Sequence, residues 1–522
     1  MKRKASWRIA GLGAFVVALA TALAIWAGVG QSGTTATVLI DGTTDSVTNI
    51  DPAGNYDFGS ATVDYLLFDH LLDFHAAGGQ PYPNLASKCG FKGGLKTYTC
   101  TLRKGIKFSN GDDFTSADVK FSFDRVVKIK DPSGIYTLLG NLKSVTTSGD
   151  FGVTFNLKNP QSTWPLILTT GAAFIVDHKA YDPAKVQAVT GDQVGTGPYK
   201  LDKYQPGQQI VVSTYAGYHG PKPKNDSVII RYYSKSSTMK LALTKGDVDM
   251  TFRDFTPTEL QSLKRTKGII VHAGKASSIR YLVLSVTRPP TNNLAVRKAL
   301  AYLMPRQAIA SRVYHGDVAP LYSMTPAGFP GHIDSFKIVY GASPSVAKAK
   351  AALAKAGVKT PVAITIWWTP SHYGDASADE YAEIQRALNS SGLFKVKLKS
   401  AEWAQYSDAL GRQYGAFQLG WFPDYPDGEN YLLPFYSKAN NFTANGYVNP
   451  KMEALVKREQ NAESPAERIA ILKQAQLLAA KDAPIIPYWQ GKMISAARNN
   501  VKGIDQTLDP TFIMRFWLIS KS

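Results

Sequence analysis

The chain is 522 residues long, 44% apolar and 19% charged, with 26 Tyr, 23 Phe and 9 Trp. That excludes a disordered or collagen-like chain and leaves room for several domains at about 150 residues each. Its two cysteines, Cys89 and Cys100, exclude a disulfide-dense scaffold, a four-cysteine zinc site and an all-cysteine iron–sulfur cluster. The net charge of +19 is spread along the chain with no Lys/Arg block and no nucleic-acid motif, so it points to an anionic surface such as phospholipid or cell-wall polymer.

Lys2, Arg3, Lys4 and Arg8 precede an uncharged run, residues 9–30. A basic start followed by an apolar segment is an export signal. Two outcomes are open for residues 1–36: a signal peptide cleaved after Gly30 or Ala36, the favoured one, or an uncleaved anchor, because the 22 residues of the run suffice to span a bilayer. No cysteine directly follows the run, so attachment of lipid there is not expected. Export permits a disulfide. Cys89 and Cys100 flank Gly93-Gly94, a hairpin turn signal, and a cross-strand disulfide is expected, with two buried free thiols as the alternative. No CxxC is present, so neither cysteine reads as catalytic.

Short strands are expected at 98–102, 107–108, 153–157, 210–213 and 228–233. Gly195-Thr196-Gly197-Pro198-Tyr199 holds a GxG, but Pro198 and the missing third glycine make it a turn before a strand. The pattern is clearest over 343–422. Ser343-Pro344 starts a helix that ends at Gly357, and 361–369 alternates as a strand. Residues 377–389 are helical, 394–399 a strand, 403–410 helical and 417–422 an apolar strand. This β-α-β-α-β order predicts a mostly parallel sheet covered by helices, with ligands beyond the carboxyl ends of its strands. Trp421-Phe422-Pro423-Asp424 lies at such an end. Helices follow Pro450 and Ser464, Pro484 stops the second, and 485–489 returns as a strand.

A search for chemistry finds no HExxH, GxSxG or GxxxxGK[ST]. His70 and His75 are five apart and do not share a helical face, while His178, His219, His315 and His372 read as lone surface or core residues. From spacing alone, Asp424 and Asp427 are better read as a hydrated Pro/Asp turn than as an acid/base pair. Trp367-Trp368, Trp403, Trp421 and Tyr425 are either core or the aromatic walls of a ligand groove. No catalytic residue, metal-ligand set or cofactor is assigned.

Taken in order, several motifs resemble the extracytoplasmic solute-binding proteins of ABC transporters, in the peptide/nickel-binding group. They are Ile50-Asp51-Pro52-Ala53, Leu66-Leu67-Phe68-Asp69-His70-Leu71-Leu72, and the run from Tyr98-Thr99-Cys100 through Gly111 to Phe114-Thr115-Ser116-Ala117-Asp118-Val119. Gly195-Thr196-Gly197-Pro198-Tyr199, Gly246-Asp247-Val248-Asp249 and Val296-Arg297-Lys298-Ala299-Leu300 follow, and Gly420-Trp421-Phe422-Pro423-Asp424-Tyr425-Pro426-Asp427 closes the series. The resemblance covers nearly all of the chain after about residue 37.

The resemblance implies an α/β, two-lobed periplasmic-binding-protein-like fold with a subdomain inserted in the first lobe. Lobe I is expected at 37–52, 188–285 and 490–522, the inserted subdomain at 53–187 and lobe II at 286–489. It implies no enzyme activity, closure of the lobes on a di- or oligopeptide, docking on an ABC permease in the membrane, and a monomer with no nucleic-acid partner. Residue by residue, Asp424 matches the acid that lies near a peptide's α-amino group. Trp403 and Trp421 match tryptophans that line side-chain pockets, and Tyr136 is expected to face the cleft. Phe422 and Tyr425, beside Asp424, complete the candidate set. There are departures: Pro423 removes a backbone donor before Asp424, Gly428 replaces a frequent Pro, and Cys89 and Cys100 fall where many relatives have aromatics. Within the same fold the alternative ligands are an oligosaccharide, a nickel chelate or haem, and a signalling receptor component is the alternative role.

Overall fold

Two strands of unusual length organise the molecule, Ile269–Leu284 and Ile485–Arg498. They pair antiparallel from Ile269 opposite Arg498 to Val283 opposite Ile485. At about 3.3 Å per residue each is far longer than an ordinary strand, so the pair can carry different neighbours at its two ends within one continuous sheet. The computed structural model describes residues 36–74, 80–253, 255–370, 372–438 and 441–522; all of the expected export segment 1–36 except Ala36, and His75, lie outside them. No helix among the described residues is long and apolar enough to cross a membrane.

At one end of the long pair, Met250–Phe252 adds to the second strand, followed by Val38–Thr43, Ser227–Tyr232, Gln209–Thr214 and Tyr199–Gln205. At the other end, Ala416–Trp421 adds to the first strand, followed by Val362–Trp368 and Phe394–Ser400. The long ladder slips register between Ala273 and Ala276, between Ala276 and Ser278, and between Arg280 and Tyr281. Such irregularities bend strands. Here they divide the two halves, so the fold has two lobes joined by crossing strands.

The second lobe follows the expected β-α-β-α-β order. Val362–Trp368 pairs parallel with both Phe394–Ser400 and Ala416–Trp421, and Ser377–Ser390 and Trp403–Ala409 are the intervening helices. Apolar clusters lie on both faces of this sheet. Ala416–Trp421 is therefore buried on both sides, which explains its continuous apolar run. Its one polar interior residue, Gln418, is satisfied by Thr369 N–H at 3.2 Å, Ser377 Oγ at 3.2 Å and Glu380 at 3.3 Å.

In the first lobe the chain leaves Val38–Thr43, builds a separate four-stranded antiparallel sheet, and returns at Tyr199–Gln205. The extra sheet is covered by the helix Ser116–Ile129, whose start is fixed by reciprocal Thr115 and Asp118 caps. Its core is continuous with that of the lobe. Cys89 stands opposite Cys100 in its first hairpin and the two are joined in a disulfide. Gly93 and Gly94 turn that hairpin at φ 65° and 93°. Gly195 and Gly197 are needed for close packing: a side chain at Gly197 would meet the Leu67 carbonyl carbon at 2.6 Å, and Gly197 N–H donates to Leu67 O at 3.0 Å. The GxG is a packing turn, as read.

Three local expectations differ. Lys107-Phe108 is no strand; Lys107 makes a single bridge to Asp113. The helix after Gly341 is capped by Ser345, whose hydroxyl accepts from Lys348 N–H, and runs Val346–Lys355, so Ser343-Pro344 lies before it. The strand expected at 485–489 continues to Arg498. Gly491 and Lys492 interrupt its apolar pattern where it passes the space between the lobes.

Candidate ligand-binding cleft

Between the lobes lies a cavity of about 1010 Å³. One wall comes from the first lobe, including Asp45, Arg253 and Phe512; the other comes from the second, including His372, Tyr373, Trp403 and Phe422. Arg280 and Trp489, on the crossing strands, lie between them.

The walls are aromatic faces with cations laid on them. The Arg253 guanidinium lies 4.2 Å from the Phe58 ring and 5.3 Å from Phe422, and pairs with Asp45 at 3.4 Å. Phe422 meets Phe58 and Phe512 edge to face at 4.9 and 5.2 Å. Arg280 lies over Tyr373 at 4.3 Å and over Trp489 at 4.9 Å. His372 stacks flat on Trp403, 3.5 Å between centroids. Desolvation in the cleft, with Arg280 and Arg253 nearby, pushes the His372 imidazole down to about 4, so it is neutral at pH 7.

Asp424 follows the carboxyl end of Ala416–Trp421, next to Phe422 on the cleft wall. Its carboxylate accepts from Tyr56 Oη at 2.5 Å and from Asn430 Nδ2 at 3.0 Å. The Asn430 oxygen accepts from Asp424 N–H at 3.0 Å and from Trp421 Nε1 at 2.9 Å. Burial raises the Asp424 carboxyl above the ordinary range, while the Asn430 and Tyr56 hydrogen bonds pull it down. No cation pairs with Asp424 among the described residues.

A buried charge cluster supports this loop. Arg468 forks onto Asp427 and donates from Nε to Glu459 at 2.5 Å. Asp427 caps the short turn Gly428–Tyr431 that carries Asn430. Tyr425 Oη donates to Glu429. Two acids, Asp427 and Glu459, thus share one guanidinium, and Glu429 lies within reach of its charge. Burial pushes Glu429 up to about 7 and Glu459 up to about 8.

Of the six expected ligand residues, Trp403 and Phe422 line the cavity. Asp424 sits beside it under Tyr56. Trp421 is half-buried between Phe435 and Phe442, at 5.1 and 5.4 Å. Tyr425 is buried in the first-lobe core, and Tyr136, half-buried, packs against that core. Sequence reasoning missed Arg253, Arg280, Tyr373, Trp489 and Asn430, and it passed over His372 as a lone histidine. Arg280 shows no signal in the sequence, because a strand arginine ordinarily points to water. Elsewhere, donor atoms of Asp118, Asp177 and His178 lie within 4.8 Å of one another. They already serve the Ser116–Ile129 cap and bonds from Asn110 and Lys179, so they read as structural.

Residues 80–443 match the family model "Bacterial extracellular solute-binding proteins, family 5 Middle". The chain is similar to the dipeptide-binding protein of Escherichia coli, 26% identical over 468 residues that cover 84% of this chain and 86% of the relative. It is also similar to the di/tripeptide-binding protein 3 of Pseudomonas aeruginosa, 27% identical over 460 residues, 83% of this chain and 85% of the relative. Among solved structures, the periplasmic binding protein DppA of Helicobacter pylori in complex with the peptide STSA shares the fold with a TM-score of 0.80. That likeness runs at 24% identity and covers 93% of this chain and 98% of the other. With two lobes, crossing strands, a cleft between them and a family match spanning most of its length, the chain belongs to the bacterial extracellular solute-binding proteins of family 5.

Proposed function

We propose that this protein captures short peptides outside the cytoplasm, closes its lobes around them and passes them to an ABC import permease. The observation that carries this reading is Asp424, a half-buried carboxylate beside the cleft, hydrogen-bonded but not ion-paired among the described residues. A peptide's terminal ammonium supplies the missing charge, and a charge-assisted bond in a partly desolvated site is worth more than a surface ion pair. The aromatic walls suit side chains of varied shape. Relatives named for dipeptides and for di- and tripeptides support the peptide class.

In this reading the protein acts as a monomeric carrier, without catalysis and without nucleic acid. Residues 1–36 direct export and are removed, and no lipid is attached. Lobe I comprises 37–52, 188–285 and 490–522, the inserted subdomain 53–187, and lobe II 286–489. Calorimetry on Asp424→Asn tests the site: peptide affinity falls by roughly 30-fold or more while the melting temperature of the unliganded protein holds. Unchanged peptide affinity contradicts the assignment.

A further inference from the structure

Among the described residues, most buried arginines are held by partners within the protein itself. Arg125 forks onto Asp51 at 2.8 and 2.5 Å, Arg468 onto Asp427, and Arg515 pairs with Asp509 at 2.7 Å. Arg297 and Arg306 donate to backbone carbonyls at 2.7 to 3.0 Å, although Arg306 Nη2 is also left without a partner; Arg306, unlike Arg280, does not line the cavity. Arg280 differs. It is 5% exposed, lines the cavity between the lobes, and has only one hydrogen bond among the described residues, from Nη1 to the Ile279 carbonyl at 3.2 Å. Its Nε–H is buried without a partner.

Glu380, an acid that feels the Arg280 charge, is already taken up by Trp489 Nε1 at 2.6 Å, Tyr488 Oη at 2.5 Å and Tyr314 Oη at 2.9 Å. No ion pair to Arg280 forms among the described residues. The fold makes room for this guanidinium. A side chain at Gly420, opposite Arg280 in the neighbouring strand, would meet its Cζ at 2.8 Å. A buried, unpaired guanidinium is costly, and it becomes favourable when a carboxylate arrives to be bound in a fork.

We propose that Arg280 is the carboxylate anchor of the cleft, receiving an anionic group of the bound ligand on its guanidinium, which lines the cavity without an ion-pair partner among the described residues. The proposal rests on the peptide reading above and deepens it: the strand Ala416–Trp421 leads to Asp424 for the ammonium, and the strand beside it presents Arg280 for the carboxylate. The carboxylate has two sources, the peptide's terminus or an acidic side chain, and the same guanidinium serves either.

The test is calorimetry on the full chain with three probes: Ala-Leu-Ala, its C-terminal amide, and Ala-Glu-Ala amide. Wild type, Arg280→Gln and Arg280→Lys are compared. A terminal carboxylate at Arg280 predicts that amidation of Ala-Leu-Ala costs wild type roughly 30-fold or more, and that Arg280→Gln abolishes the difference. A side-chain source predicts that Ala-Glu-Ala amide outbinds Ala-Leu-Ala amide in wild type only. Arg280→Lys, which keeps charge without the fork, falls between. Unliganded Arg280→Gln melts no lower than wild type if the residue serves the ligand; a purely structural arginine would lower the melting temperature, and that result overturns the proposal. An unchanged acid-to-amide ratio with an unchanged Glu preference in Arg280→Gln also overturns it. If wild type binds none of the peptides, the peptide reading fails by itself. Stabilisation by citrate in wild type, absent from Arg280→Gln, then decides Arg280 separately, and no citrate effect overturns it.

Discussion

Asn430 holds Asp424 from both sides: its amide donates to the carboxylate at 3.0 Å, and its oxygen accepts from the Asp424 backbone N–H at the same distance. The same oxygen accepts from Trp421 Nε1, so one buried side chain sets the geometry of the whole turn. Asn430→Ala is expected to weaken peptide binding about fivefold and to cost about 1–3 kcal/mol of stability, because it leaves buried donors without partners. Calorimetry beside a urea titration checks both; full affinity with unchanged stability contradicts the account.

The cluster around Arg468 makes stability depend on pH in an unusual direction. Glu429 and Glu459 are pushed up by burial to about 7 and about 8, above the ordinary carboxyl near 4.3. The folded state therefore holds these protons more tightly than the unfolded chain. Their stabilising contribution is complete below the unfolded value and is lost as pH rises through 7 to 8. The melting temperature of wild type is expected to fall between pH 5 and pH 9, with a shallower fall in Glu459→Gln. Parallel slopes in the two proteins would contradict the assignment.

Much of the second lobe is legible in the sequence, because its elements bury one face each and their periodicity survives. Trp403 and Phe422 are also legible, through the order of motifs around them. Arg280 is not: it breaks the rule that strand arginines face water, and the glycine that admits it lies 140 positions away in the chain. The end of the strand Ile485–Arg498 is hidden for a related reason. Its middle crosses the cleft, where polar residues and Gly491 interrupt the apolar run. Tyr425 and Tyr136 share their composition with ligand-facing tyrosines, yet they pack on the first-lobe core. Composition cannot separate these cases, since a buried tyrosine suits either place.

The disulfide closes a hairpin outside the residues lining the cleft. Replacing Cys89 and Cys100 together by serine is expected to lower stability by about 2–3 kcal/mol, as the short loop between them implies. Peptide affinity is expected to stay the same. A denaturant titration and a binding isotherm check this; a large loss of affinity contradicts the separation of hairpin and cleft.

Gly195 passes against the chain at Leu67 and Phe68, and an added Cβ would lie 2.6 Å from the Phe68 ring and 2.9 Å from the Leu67 carbonyl carbon. Backbone cannot yield as a flexible side chain does. Gly195→Ala is expected to cost about 3 kcal/mol. Urea unfolding measures it, and a loss below 1 kcal/mol, roughly the lower end of overpacking costs, contradicts this packing.

The central claim is that the cleft holds peptides, and native mass spectrometry of the exported protein purified gently from cells tests it most directly. A ligand present at 100 times its dissociation constant adds about 2.7 kcal/mol of stability, so a tight one survives purification. The account predicts added masses that fragment as peptides and are absent from Asp424→Asn. A single non-peptide mass, retained by Asp424→Asn, would contradict it.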